Sequence, residues 1–235
     1  MSGRNYVGGE WVPAEGGETY DKTNPWRPRT TVGAFAASGD ADVDAAVEAA
    51  STAFRAWAGL PLAARGAYLV AAAASLERRV DEIARDMSTE MGKPLRESRG
   101  ETLRAAQILR YSASEAFRPV GEHFEQSLTG HQVSTRRRPL GVVGLITPWN
   151  FPIAIPVWKL APALMYGNTV VLKLAYEAPR TGLHVAEAFG GGRPPRRRLE
   201  RAHRPRLARR RRARQRRARG GDLLHWLGAD RSGRP

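Results

Sequence analysis

The run from Val142 to Leu172 constrains the fold more than any other part of this chain. Val142 to Ile146 is a short apolar run that reads as a buried strand. Thr147-Pro148-Trp149-Asn150-Phe151-Pro152 cannot be regular structure, because its prolines lack the N–H that a helix or ladder needs. Ile153 to Tyr166 reads as a buried helix, Gly167-Asn168 as a turn and Thr169 to Leu172 as a second buried strand; Pro179 to Phe189 starts another helix. Strand, helix, strand, helix is the order of a parallel α/β sheet. Residues 142–166 are also about a bilayer long. Pro148, Pro152, Pro156 and Pro162, with Asn150 and Lys159, speak against a lipid-exposed span, so no membrane association is expected.

Upstream, residues 5–37 mix aromatics with turn residues and suit short strands better than a helix. Beyond Gly39, with Asp40 as the expected cap, Val43, Val47, Ala50, Phe54 and Trp57 recur at helical spacing and predict one apolar stripe ending near Gly59. A longer helix follows Pro61, with Leu69, Ala72, Leu76, Val80, Ile83 and Met87 on one face, and Gly92-Lys93-Pro94 stops it. A third helical stretch runs from about Arg96 to Phe117. Gly121 to Arg138 reads as a polar hairpin around Thr129-Gly130.

Charge divides the chain in two. Residues 190–235 hold 17 arginines, no lysine and three acids (Glu200, Asp222, Asp230), which is +14 of the formal +15. Residues 1–189 keep the near-neutral balance of an ordinary globular protein. The tail predicts non-specific nucleic-acid binding from charge alone, with no packed role and no strand added to the sheet. Absence of cysteine excludes a disulfide scaffold, cysteine-ligated zinc and a thiol nucleophile. His123, His131, His184, His203 and His225 show no metal-ligand spacing, so no metal site is expected. Met1-Ser2-Gly3-Arg4-Asn5 lacks the apolar core of a secretory signal, and a soluble cytoplasmic protein is the expectation.

No glycine-rich dinucleotide fingerprint, Walker lysine loop or nucleophile elbow occurs. By residue type alone, Asn150 is a turn residue and Lys173 a surface lysine. Their sequence context says more. Pro139-Leu140-Gly141-Val142-Val143-Gly144-Leu145-Ile146-Thr147-Pro148-Trp149-Asn150-Phe151-Pro152, then Trp158-Lys159-Leu160-Ala161-Pro162-Ala163-Leu164, then Gly167-Asn168-Thr169-Val170-Val171-Leu172-Lys173, closely resembles the NAD(P)-dependent aldehyde dehydrogenases. Glu90-Met91-Gly92-Lys93-Pro94 is similar to that family too, and the resemblance covers about residues 5–189. It implies an α/β fold in which N-terminal helices lead into the first part of a Rossmann-like parallel sheet, truncated. The implied divisions are an arm and helices over 1–120, an oligomerisation-type hairpin over 121–139, the start of the cofactor-binding sheet over 140–189, and a disordered arginine-rich tail over 190–235.

The resemblance also implies roles. Ile146, Thr147, Pro148 and Trp149 would line the cofactor groove. The Asn150 amide would donate to the oxyanion formed when a cysteine thiolate attacks the aldehyde, an interaction worth about 3–4 kcal/mol in comparable sites. Lys173 would bind the adenosine ribose hydroxyls of NAD or NADP. Leu174 and Tyr176 stand where the family often has proline and an acid, and Glu177 could substitute for the acid, so the choice between the two cofactors stays open. The family's nicotinamide-side glycine loop, general-base glutamate and nucleophilic cysteine lie further along in family register. What is expected is therefore the adenosine half of a site plus one oxyanion donor, catalytically dead as written. The substrate would be an aldehyde, or a semialdehyde by the texture of Gly92-Lys93-Pro94 and Arg96–Ala106, and the assembly a homo-oligomer.

The tail reads best as a frame lost after Phe189. Shifted by one base, the codons for Glu200, His203, Asp222, His225 and Trp226 permit few residues, and all five permit the one the family carries there. Two other readings are a dehydrogenase-like body with an arginine-rich nucleic-acid arm, and a non-catalytic subunit that oligomerises through the hairpin.

Overall fold

Two antiparallel ribbons begin the chain: β1 (Arg4–Val7) with β2 (Glu10–Pro13), and β3 (Thr19–Asn24) with the longer β4 (Arg27–Ser38). The computed structural model describes residues 3–125, 131–190, 224–227 and 229–230. Helix α1 (Asp40–Ala58) comes next, capped by Asp42 rather than the expected Asp40. The Gly39 N–H donates to Asp42 Oδ2 (2.9 Å), while Oδ1 accepts from the Glu15 amide (3.0 Å) and from Asn5 Nδ2 (3.2 Å). Asp42 wins because it faces the ribbons and satisfies several donors there, whereas Asp40 lies exposed.

The apolar stripe of α1 is also rotated from expectation. Ala46 and Ala50 are buried with Val171, whereas Val43 and Val47 are 41% and 42% exposed. Alanine lets a helix approach a sheet closely, so fit selects the buried face here over hydrophobicity.

The long second helix is two, α2 (Leu62–Arg78) and α3 (Val80–Met91), joined at Arg79. Leu76, Val80, Ile83 and Met87 keep helical spacing across the joint, which hides it from periodicity. Arg79 there pairs with Glu82 and with Glu187. Next come α4 (Leu95–Ser114), a 3-10 turn at Glu115–Phe117, and a ribbon of β5 (His123–Phe124) and β6 (Val133–Ser134). The expected turn at Thr129-Gly130 lies outside the described residues.

The α/β part is β7 (Val142–Ile146), α5 (Ala154–Met165), β8 (Thr169–Lys173) and α6 (Pro179–Gly190). Strands β7 and β8 are parallel, in register from Val142↔Thr169 to Ile146↔Lys173. Side chains alternate along β8: Val170 and Leu172 join the main core with Leu160, Leu164, Val185 and Phe189, and Val171 meets α1. Helices thus cover both faces, with α2 and α4 packed outside α5 and α6. Asn168 fixes the register: its Oδ1 accepts from the Leu140 and Gly141 amides (2.6 and 3.1 Å), and its Nδ2 donates to Ala163 O (3.0 Å). Gly167 turns the chain into β8 at φ +90°, beside Arg65, whose buried guanidinium donates to the carbonyls of Ala58, Leu60 and Met165.

The expectation that the tail adds nothing to the sheet is overturned for six residues. β9 (Leu224–Leu227) lies between β8 and β1, parallel to the former (Val170↔Leu224 to Lys173↔Leu227) and antiparallel to the latter, giving the order β2-β1-β9-β8-β7. β10 (Ala229–Asp230) adds to β4. The unpaired flank of β8 offers a full row of backbone donors and acceptors, and any short extended segment can answer it whatever its side chains. No helix among the described residues is long and apolar enough to cross a membrane.

Candidate functional site

The carboxyl ends of β7 and β8 stop on one rung, which sets Ile146 beside Lys173. One residue on, the Thr147 N–H donates to Lys173 O (3.2 Å) and the threonine is buried, so the loop leaves the sheet tethered to the lysine. Lys159, reaching back from α5, donates to Ile146 O (3.1 Å). Ile146 (71% exposed), Pro148, Trp149 and Asn150 then form an open surface above the strand ends. Lys173 is half-buried, and among the described residues no acid or carbonyl engages its ammonium. Ile146, Thr147 and Lys173 are thereby brought together as a unit, and Asn150 stands three residues along the same loop. No contact between the Asn150 amide and Lys173 is present among the described residues.

The far end of the loop is held by groups that sequence reasoning passed over. Glu101, buried on α4, accepts from the Ile153 and Ala154 amides (2.9 and 3.1 Å) at the start of α5 and pairs with Lys93. Lys93 Nζ also reaches Asn150 O (3.4 Å) and sits 4.1 Å from the Phe151 ring centroid. In the sequence, Lys93 falls in the family-like Glu90–Pro94 stretch and Glu101 in the charged helix after it, but nothing local shows that the two pair or reach the loop.

Leu174 and Tyr176, the two departures from the family pattern, both serve packing. Leu174 is buried against Gly182 of α6, where any β-carbon would collide with it. Tyr176 stacks on Tyr20, with ring centroids 4.3 Å apart.

A second polar cluster joins α3 to α6. His184 Nε2 lies 2.7 Å from Asp86 and Nδ1 3.2 Å from Glu187, with Glu82 nearby. Glu82, Asp86 and His184 could geometrically hold a cation, a grouping the sequence spacing did not reveal. Their ligand atoms are already engaged by Arg79 and Arg180, however, and two guanidinium groups oppose a metal there. Burial works against charging His184, but its bonds to Asp86 and Glu187 prevail and raise its pKa. Burial likewise opposes charge on Glu187, yet His184 and Arg79 hold it down at about 2. Glu90 is the reverse case. Burial pushes it up to about 7, although it accepts from the Arg180 and Thr181 amides at the start of α6.

The model of the aldehyde dehydrogenase family matches residues 11–196. The chain is 45% identical over 185 residues to the alpha-ketoglutaric semialdehyde dehydrogenase of Bacillus subtilis, covering 79% of this chain and 38% of that protein. An NADP-dependent enzyme of Escherichia coli has a similar structure, with a TM-score of 0.83 and 30% identity over 99% of this chain and 43% of that one. So does PnpE of Pseudomonas sp. WBC-3, solved in complex with nicotinamide adenine dinucleotide, with a TM-score of 0.81 and 31% identity over 97% of this chain and 42% of that one. The chain therefore spans about two-fifths of the length of these relatives.

Proposed function

The chain belongs to the aldehyde dehydrogenase family, and on that premise we propose that its strand ends form the adenosine side of an NAD(P) site serving oxidation of an aldehyde or semialdehyde. One observation carries this reading: Lys173, whose ammonium is engaged by no acid or carbonyl among the described residues, stands at the carboxyl end of a parallel strand, tethered by its own carbonyl to the loop that bears Asn150. Ligands of open α/β sheets bind outside the carboxyl ends of the strands. The residues present fit the group, since an ammonium suits ribose hydroxyls and the open face of Ile146 and Trp149 suits an apolar base. When bound, the nicotinamide accepts a hydride. Lys173 would grip the ribose, Thr147 would keep the loop at fixed distance from that grip, and the exposed Asn150 amide would donate to the oxygen on which negative charge develops. Having no cysteine, these residues cannot supply the thiolate themselves.

Relatives named for semialdehyde substrates favour a semialdehyde here. The β5–β6 ribbon, with Phe124 and Val133 about half exposed, would be the surface that pairs with a second copy.

Calorimetric titration of the full chain with ADP-ribose at about 0.5 M salt, which screens the arginine-rich tail, tests the reading. Lys173→Gln should weaken binding about tenfold, as expected for losing one charge-assisted hydrogen bond. Equal affinity in the two proteins would overturn it.

A further inference from the structure

We propose that Lys93 and Glu101 are positioning residues that fix the Asn150 loop; the inference rests on the reading of Asn150 as an oxyanion donor. An ammonium has three donors, and all three directions at Lys93 Nζ are accounted for: the Glu101 carboxylate, the Asn150 carbonyl and the face of Phe151. Glu101 is equally committed, with Oε2 toward Lys93 and Oε1 on the Ile153 and Ala154 amides.

The side chains of Lys93 and Glu101 are 9% and 1% exposed, so their ion pair and the Glu101 bonds to α5 are shielded from water, while the Lys93 bond to the Asn150 carbonyl lies at the surface. Together they grip the Asn150 carbonyl, the Phe151 ring and the amides of residues 153 and 154. The one residue left between these anchors is Pro152, whose φ is fixed by its ring. The backbone from Asn150 to the first turn of α5 is therefore tied at successive points, at the Asn150 carbonyl and at the Ile153 and Ala154 amides. A pair that served stability alone needs only its own two charges. This pair directs its remaining capacity at the segment that aims the asparagine. With Thr147 bonded to Lys173 at the other end, the loop is clamped at both ends, by the ribose-side lysine and by a buried ion pair.

The test is ¹⁵N nuclear magnetic resonance of the full chain. Lys93→Gln should shift and broaden the Trp149 indole and Asn150 side-chain amide signals, leaving the Trp57 indole, bonded to Leu164 O in the core, where it was. Lys93→Arg, which keeps a cation in place, should restore them. Glu101→Gln should speed exchange of the Ile153 and Ala154 amides at least tenfold. Phe151→Leu removes only the ring contact, so it should fold and give a smaller shift of the same Trp149 and Asn150 signals. Unchanged signals in Lys93→Gln and Phe151→Leu overturn the proposal, as does failure of Lys93→Arg to restore them. If Lys93→Gln does not fold, the Phe151→Leu shift decides alone. ADP-ribose binding by the unsubstituted chain is scored separately: its absence sinks the functional reading, whereas the resonance shifts decide whether the pair holds the loop.

Discussion

At the scale of residues, two buried carboxylates do the same job on neighbouring helices. Glu90 holds the first turn of α6 as Glu101 holds that of α5, each accepting from two backbone amides. Glu90 has a pKa raised from 4.5 to about 7, so its contribution to stability is complete below pH 4.5 and is lost as pH rises through 7. His184, raised above 6.5, loses its contribution in the same direction, at a pH above 6.5. Glu187, lowered to about 2, acts oppositely, contributing above pH 4.5 and losing that contribution as pH falls toward 2. The melting temperature should therefore decline between pH 5 and 8, and Glu90→Gln should flatten that decline; a profile identical to the parent would contradict the assignment. Asn150 and Lys173 stand out in the sequence because ordered motifs surround them, and their roles remain our proposal. Glu90, Glu101 and Lys93 lie in stretches that resemble the family, but their contacts were not legible, since an acid or lysine looks the same in sequence whether it caps a distant helix or faces solvent.

Among the elements, β7, α5, β8 and α6 were readable because apolar runs of strand and helix length are separated by prolines and by Gly167-Asn168. Where periodicity failed, packing had decided. Alanines, not valines, face the sheet from α1, and a single residue breaks α2 from α3 without disturbing the apolar spacing. At the turn into β8, Gly167→Ala places a β-carbon at φ +90° and 3.3 Å from Arg65, and should cost about 1–2 kcal/mol in urea unfolding. A cost near zero would show that the turn relaxes freely. β9 was unreadable because backbone pairing, not a side-chain pattern, places it. Its amides from Leu224 to Leu227 should exchange many-fold more slowly than unprotected amides of the same sequence. Equal exchange rates would remove β9 from the sheet.

For the whole molecule, the family match covers residues 11–196 and runs only a few residues into the arginine-rich region. We read the chain beyond Phe189 as translated out of frame; a gene sequence whose one-base shift at that point does not restore family residues would refute that. A strand at Leu224–Leu227 is compatible with such a reading, because a sheet edge selects extended backbone before it selects side chains. On our reading the molecule carries the adenosine grip of an aldehyde dehydrogenase on the ends of β7 and β8 and lacks the thiol for turnover. Titration of the ¹⁵N-labelled full chain with NAD⁺ decides both halves of that statement in one experiment. Saturable shifts at the amides of Ile146, Thr147 and Lys173, lost in Lys173→Gln and unaccompanied by reduction when aldehyde is added, are the expected result. Shifts confined to other surfaces, or NADH formed by the purified chain, would contradict it.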